Sequence, residues 1–248
     1  MLKLVGLFVV VLFGSVTCQD EEEGIERLPL PDDMVSIFTE QGQQRLLQKE
    51  TLKQDFFYLS SQFLTQRTNK YCGVASSVIV LNALPVPAPV DNIHGYPFFN
   101  QNNYFTQSLE EKAGISPYNF NGLDLEQLSD GLEAHGCRTE VVYAQGDVEE
   151  ETSKFRDTLI KNLDDPTNFV LVNYYRPGIN EVGGGHISPV AAYHFETDSM
   201  LLMDVARYKY EPAWVSVPKF YNAMTNIDSG ANKPRGYLEV WASMGGRA

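Results

Sequence analysis

The sequence predicts an α+β fold in which helices lead and strands follow. Three observations carry this. Residues 73–84 are almost continuously apolar and run into Pro85, Pro87 and Pro89, which marks a buried helix with a firm stop in the first half. Residues 168–175, 186–195 and 200–205 read as strands in the second half, the last two joined through a hairpin-like turn at Asp198-Ser199. No repeat or linker divides the chain, and 230 residues follow an apolar first segment (248 − 18 = 230), enough for one domain with a substantial core.

The elements follow in order. Lys3 precedes an apolar run from Leu4 to Val16, too short to span a bilayer comfortably and closed by the small residues before Gln19-Asp20. Residues 1–18 therefore read as a signal peptide cleaved after Cys18, which exports the protein to a periplasm, a vesicle lumen or the outside. Lipidation of Cys18 is disfavoured by Ser15 and Thr17. Residues 19–42, with Glu21-Glu22-Glu23, read as a solvated acidic leader, and residues 43–243 as the catalytic domain. Leu46, Leu47, Leu52 and Phe56 among Gln, Lys and Glu predict one surface helix over 40–57. Residues 60–70 form a polar approach to the buried helix, and 94–104 an aromatic, Asn-rich irregular segment. Leu125, Leu128 and Leu132 predict a helix that stops at Gly136, and 138–144 alternates like a strand. Residues 153–163 are helical, Asp164-Asp165-Pro166 is a turn, 218–227 is a helix and 236–242 a final strand.

The formal net charge of −13 argues against nucleic acid or an anionic membrane as a partner. With no CxxC, no His/Cys cluster at zinc spacing and no GxGxxG or Walker pattern, nothing supports a metal or nucleotide cofactor bound by the chain itself. Strands with exposed edges allow a homodimer without requiring one. Once Cys18 leaves, Cys72 and Cys137 remain, and a structural disulfide between them is the competing use of both.

Cys72 stands where thiol chemistry would use it. It follows Gln66 by six positions (72 − 66 = 6), precedes Gly73 and opens the apolar helix, where the dipole and free N–H groups favour a thiolate. Gln66 offers an amide, beside the Cys72 N–H, to a tetrahedral oxyanion; one such donor is worth about 3 kcal/mol of barrier. His186, in Gly183-Gly184-Gly185-His186, is the candidate base, and Asp204, eighteen residues on (204 − 186 = 18), the candidate orienter on the neighbouring strand. Taken singly, each is more often a core or surface residue; the ordered Cys, His, Asp set with Gln66 is what points to catalysis. Cys137, His94, His135 and His194 default to structural roles.

The layout of glutamine, cysteine, histidine and acid resembles papain-like enzymes. The blocks Tyr71-Cys72-Gly73 with Val80-Leu81-Asn82-Ala83-Leu84, Gly184-Gly185-His186-Ile187-Ser188-Pro189 and Asp204-Val205-Ala206-Arg207-Tyr208-Lys209-Tyr210 resemble phytochelatin synthases, most closely the short, bacterial-type members, over residues 43–243. The resemblance implies a papain-like fold, a nucleophile helix packed on an antiparallel sheet that carries His and Asp. It implies attack by Cys72 on the Cys–Gly bond of glutathione, with the γ-glutamylcysteinyl group passed to glutathione or water. It implies a triad of Cys72, His186 and Asp204, the oxyanion residue Gln66, and substrate contacts at Asn173, Arg235 and Tyr237, with cadmium or zinc entering as a glutathione thiolate co-substrate in heavy-metal detoxification. A Cys-rich C-terminal extension does not follow residue 243, which favours hydrolysis or short products. Two other readings stay open: an exported papain-like peptidase acting on other peptides, and an inactive binder of thiol–metal complexes.

Overall fold

A computed structural model describes residues 27–117 and 120–243; the expected signal segment and residues 19–26 of the leader lie outside the described residues. A short strand, β1 (Val35–Ser36), precedes five helices: α1 (Glu40–Leu47), α2 (Gln54–Ser61), α3 (Cys72–Ala83), α4 (Gln107–Ala113) and α5 (Leu125–Ala134). Then come β2 (Cys137–Tyr143), α6 (Val148–Asn162), β3 (Asn168–Tyr175), β4 (Gly185–His194), β5 (Ser199–Leu202), β6 (Ala213–Ser216), α7 (Val217–Met224), the small hairpin β7 (Ile227–Asp228) and β8 (Lys233–Pro234), and β9 (Gly236–Ala242). The chain is α+β. Seven strands form one antiparallel sheet in the order β1-β6-β5-β4-β3-β9-β2.

Side chains alternate across this sheet, so each strand feeds two cores. Leu171, Ile187 and Leu238 face α3 and α5, while Val172, Tyr174 and Tyr237 face α6 and α7. Both faces being covered, β3 reads Phe-Val-Leu-Val without a polar break. Helix α3 is buried from Cys72 to Leu81, which explains its lack of a polar stripe, and it stops where Leu84 turns extended ahead of Pro85.

Several expectations need correction. The single helix over 40–57 is two helices, because residues 48–53 leave the helix. Leu52 exchanges backbone bonds of 3.0 and 2.8 Å with Tyr193 of β4, and the Thr51 hydroxyl caps the Arg45 carbonyl at 2.6 Å. The leader is narrower than 19–42. Leu28 N–H donates to the Lys209 carbonyl, β1 pairs with β6, and the Trp214 indole donates to the Gly42 carbonyl at 3.0 Å. Helix α4, capped by Thr106, has no counterpart in the sequence reading. Helix α7 ends at Met224, and β5 ends at Leu202, so Asp204 lies in the loop beyond the strand rather than on it. Cys72 and Cys137 form no disulfide with each other; both are free and buried. Among the described residues no helix is long and apolar enough to cross a membrane.

One buried group works against stability. Asp55 in α2 is fully buried, and neither carboxyl oxygen has a hydrogen-bond partner among the described residues. Burial, reinforced by Asp165 and Asp164, pushes it up to about 9. The folded state thus binds a proton that the unfolded chain releases near pH 4, and stability falls as pH rises from about 4 towards 9. Asp55→Asn is expected to stabilise the protein at pH 8 by about 1–3 kcal/mol, or about 3–10 °C in Tm, with little gain at pH 4. Thermal denaturation at both pH values checks this, and an equal shift at the two would refute it.

Candidate active site

Cys72 is the first residue of α3, and its N-cap, Tyr71, makes no side-chain cap bond. The first-turn N–H groups are therefore left for another acceptor, and Gly73 and Ile187 both donate backbone N–H to the sulfur. The Tyr71 ring is fixed between Phe105 and Phe120, with centroids at 5.8 and 5.2 Å. Gly73 is needed for packing. A Cβ there would come within 2.9 Å of Leu123 Cδ1, so the glycine lets the 120–124 loop close on the helix.

The sheet supplies the other half. His186, second residue of β4, bonds the Asp204 carboxylate through Nε2 at 2.8 Å, and the ring hydrogen-bonds the Cys72 thiol. The Tyr174 ring stands edge-on to the imidazole at 5.7 Å. Asp204 Oδ1 also accepts the Ala206 N–H at 2.7 Å, and Oδ2 pairs with the Arg176 guanidinium at 2.7 Å. Arg176 pairs in addition with Glu181, and all of these side chains are buried. The rings of Tyr174 and Tyr210 flank its guanidinium at 5.9 and 5.1 Å.

Charge follows from this packing. Burial pushes the Cys72 thiol up, but the hydrogen bond and charge of His186, with the two N–H donors, bring it below its ordinary value. Burial lowers His186, and the Asp204 charge more than reverses that, so the imidazole is raised. Asp204, despite burial, is held well below the carboxylate range by His186 and Arg176. Burial pushes Glu181 up to about 7 against the pull of Arg176. Cys137, lacking such partners, is pushed by burial to about 12. The lowered thiol and the raised imidazole shift towards each other, in the direction that favours proton transfer from Cys72 to His186. At pH 7, iodoacetamide is expected to alkylate Cys72 and spare Cys137, with the Cys72 rate falling off at a lower pH than that of an ordinary thiol. Peptide mapping by mass spectrometry reads this; equal labelling of both would contradict it.

A cavity of about 700 Å³ opens at Cys72 and His186. One wall is Gly114, Ile115 and residues 120–124 with Gln127; the other is Gly184 to Ile187, Asn173, Arg235 and residues 228–230. The Arg235 guanidinium lies against Gly185, where a Cβ would meet it at 2.4 Å. It donates to Asn173 Oδ1 at 2.7 Å and to Asp228 Oδ2 at 2.8 Å, and Asn173 Nδ2 donates to the same Asp228 oxygen at 3.2 Å. Its Nε is buried without a hydrogen-bond partner among the described residues. Burial lowers Arg235, offset by Asp228 and Cys72.

The expected residues therefore divide. Cys72, His186 and Asp204 meet, and Asn173 and Arg235 line the same cavity. Tyr237 does not. It faces α6 from across Val172, its ring 4.9 Å from Phe155 and its hydroxyl 3.2 Å from Thr158, whereas the next register pair, Asn173 and Gly236, serves the other face. Gln66 is buried and is not among the residues lining the cavity; its backbone N–H donates to the Val205 carbonyl at 2.8 Å and its amide N–H to the Tyr208 hydroxyl at 2.8 Å. Arg176, Glu181 and Asp228 escaped the sequence reading. Only the placement of Arg176 directly after a strand hinted at the first.

Comparison with known proteins bears on this arrangement. A family model described as phytochelatin synthase matches residues 25–237. An Arabidopsis thaliana protein named glutathione gamma-glutamylcysteinyltransferase 1 is 32% identical over 197 residues, covering 78% of this chain and 38% of the relative. A Lotus japonicus protein named glutathione gamma-glutamylcysteinyltransferase 3 is 31% identical over 186 residues, covering 75% and 37%. A Schizosaccharomyces pombe protein named glutathione gamma-glutamylcysteinyltransferase is 27% identical over 190 residues, covering 77% and 44%. The chain thus spans about two fifths of the length of these curated relatives.

Proposed function

The chain belongs to the phytochelatin synthase family, and from that premise we propose that it is a thiol acyltransferase acting on glutathione through a papain-like site. The observation that carries the reading is the continuous chain Cys72–His186–Asp204 opening into a cavity whose far wall holds Arg235, Asn173 and Asp228.

The Cys72 thiolate attacks the carbonyl carbon of the Cys–Gly bond. The charge developing on that oxygen is met by the Cys72 N–H and the Gln66 amide. The C–N bond breaks, His186 gives its proton to the departing glycine nitrogen, and the γ-glutamylcysteinyl group stays as a thioester on Cys72. His186, neutral again, then takes a proton from the acceptor, either water or the amine of a second glutathione, as it attacks the thioester. Asp204 and Arg176 keep the imidazole in one orientation through both steps. Arg235 suits the α-carboxylate of the γ-glutamyl end, with Asp228 placed for its ammonium. Tyr237 has no part in this pocket. Cadmium or zinc enters as a glutathione thiolate, that is, as substrate. Residues 1–18 act as an export signal in this reading, so glutathione is met outside the cytosol.

The test is mass spectrometry of the purified protein with glutathione under reducing conditions, with and without cadmium, beside Cys72→Ser. Glycine with γ-glutamylcysteine alone identifies a hydrolase, and (γ-Glu-Cys)₂-Gly a synthase. Intact glutathione together with cleavage of other peptides would replace this function with that of a general peptidase.

A further inference from the structure

The Gln66 amide is not free to rotate. The Tyr208 hydroxyl donates its only proton to Asn69 Oδ1 at 2.8 Å, so towards Gln66 it can only accept, which it does from Nε2 at 2.8 Å. That polarity fixes which end of the Gln66 amide carries hydrogens on this side. The carbonyl end, Oε1, is buried without a hydrogen-bond partner among the described residues, an arrangement a purely structural glutamine would avoid. The backbone is pinned as well, by the Gln66 N–H to the Val205 carbonyl, one residue past Asp204. Asn69, the end of the relay, lines the cavity together with Cys72. Tyr208 itself is 38% exposed, so its hydroxyl has little work to do in the core.

We propose that Tyr208 is a positioning residue for oxyanion stabilisation: through its hydroxyl and Asn69 it holds the Gln66 amide with one N–H spent on itself and the second turned to the substrate oxyanion. This rests on Gln66 serving as the oxyanion donor in the function proposed above. The Tyr208 hydroxyl bonds Gln66 and Asn69 rather than the thiol or the imidazole, so its loss acts on the transition state and leaves thiolate formation alone.

The experiment compares the wild-type protein, Gln66→Ala, Tyr208→Phe and the double variant for glycine release from glutathione. Removing the donor outright is expected to lower kcat by roughly 10²–10³-fold, and Tyr208→Phe, which only loosens it, by roughly tenfold with KM within about twofold. The double variant should fall no further than Gln66→Ala alone, because Tyr208 has nothing left to orient. Iodoacetamide alkylation of Cys72 across pH should be the same in Tyr208→Phe as in wild type. A wild-type kcat for Tyr208→Phe, the same factor lost in both backgrounds, or a changed alkylation profile would overturn the inference. If the wild type releases no glycine, the substrate assignment falls by itself. The same comparison on Cys72 acylation by p-nitrophenyl acetate, which also passes through an oxyanion, then decides the role of Tyr208.

Discussion

Cys72→Ser is expected to lower glycine release from glutathione by on the order of 10⁵-fold, while leaving the fold and the cavity in place. The replacement is nearly isosteric, and the residue is nearly buried, so neither packing nor α3 should suffer. A serine hydroxyl at this position is far harder to deprotonate than a thiol already lowered by His186, Ile187 and Gly73. His186→Ala should cost about as much, and the double variant little more, since the two act as one unit. Calorimetry should still record glutathione binding to Cys72→Ser, because Arg235 and Asn173 are untouched. Activity within tenfold of wild type would move catalysis away from this cavity altogether.

Arg176→Met is expected to be the substitution at this site most damaging to stability. It removes the one cation lying between Asp204 and Glu181, whose side chains are 2% and 1% exposed, and leaves two carboxylates buried together. Breaking such a pair from one side costs about 3–5 kcal/mol. The pH dependence has a definite sign. Without the cation Glu181, already raised by burial, binds its proton more tightly still in the folded state, and Asp204 loses one of its two charged partners, so the variant gains relative stability as pH falls. The Tm deficit should therefore be larger at pH 8 than at pH 5. A second variant, Arg176→Met with Glu181→Gln, should recover part of it. Activity should drop by more than roughly tenfold as well, because an Asp204 that has lost its Arg176 partner orients His186 less firmly. A deficit independent of pH would mean that lost volume, not lost charge, is responsible.

What could be read from the chain was whatever is local. The start of α3 at Cys72 and its end before Pro85 follow from apolar content and proline, and the limits of β3 and β9 from strand composition. The spacing of His186 and Asp204 suggested their meeting, even though β5 stops two residues short of the aspartate. What escaped depends on distant partners. Arg176 looks like a surface residue until the chain folds two carboxylates over it. The break in the helix expected over 40–57 is imposed by Tyr193, and the early start of the fold by Trp214, each well over a hundred positions away. Tyr237 failed for another reason. Residue type passes between relatives, but one register step turns a strand residue to the opposite face.

The position of β9 has a consequence for how the molecule comes into being. The last strand of the described chain lies between β3 and β2, so β2 has no neighbour in the sheet until residues 236–242 arrive. Arg235, at its threshold, reaches the cavity in the same event. Until residues 235–242 are made, β2 has no partner in the sheet and the cavity lacks its guanidinium. Completion of the sheet waits on β9, and a nascent chain interrupted before it carries Cys72 without the Arg235 wall of its pocket.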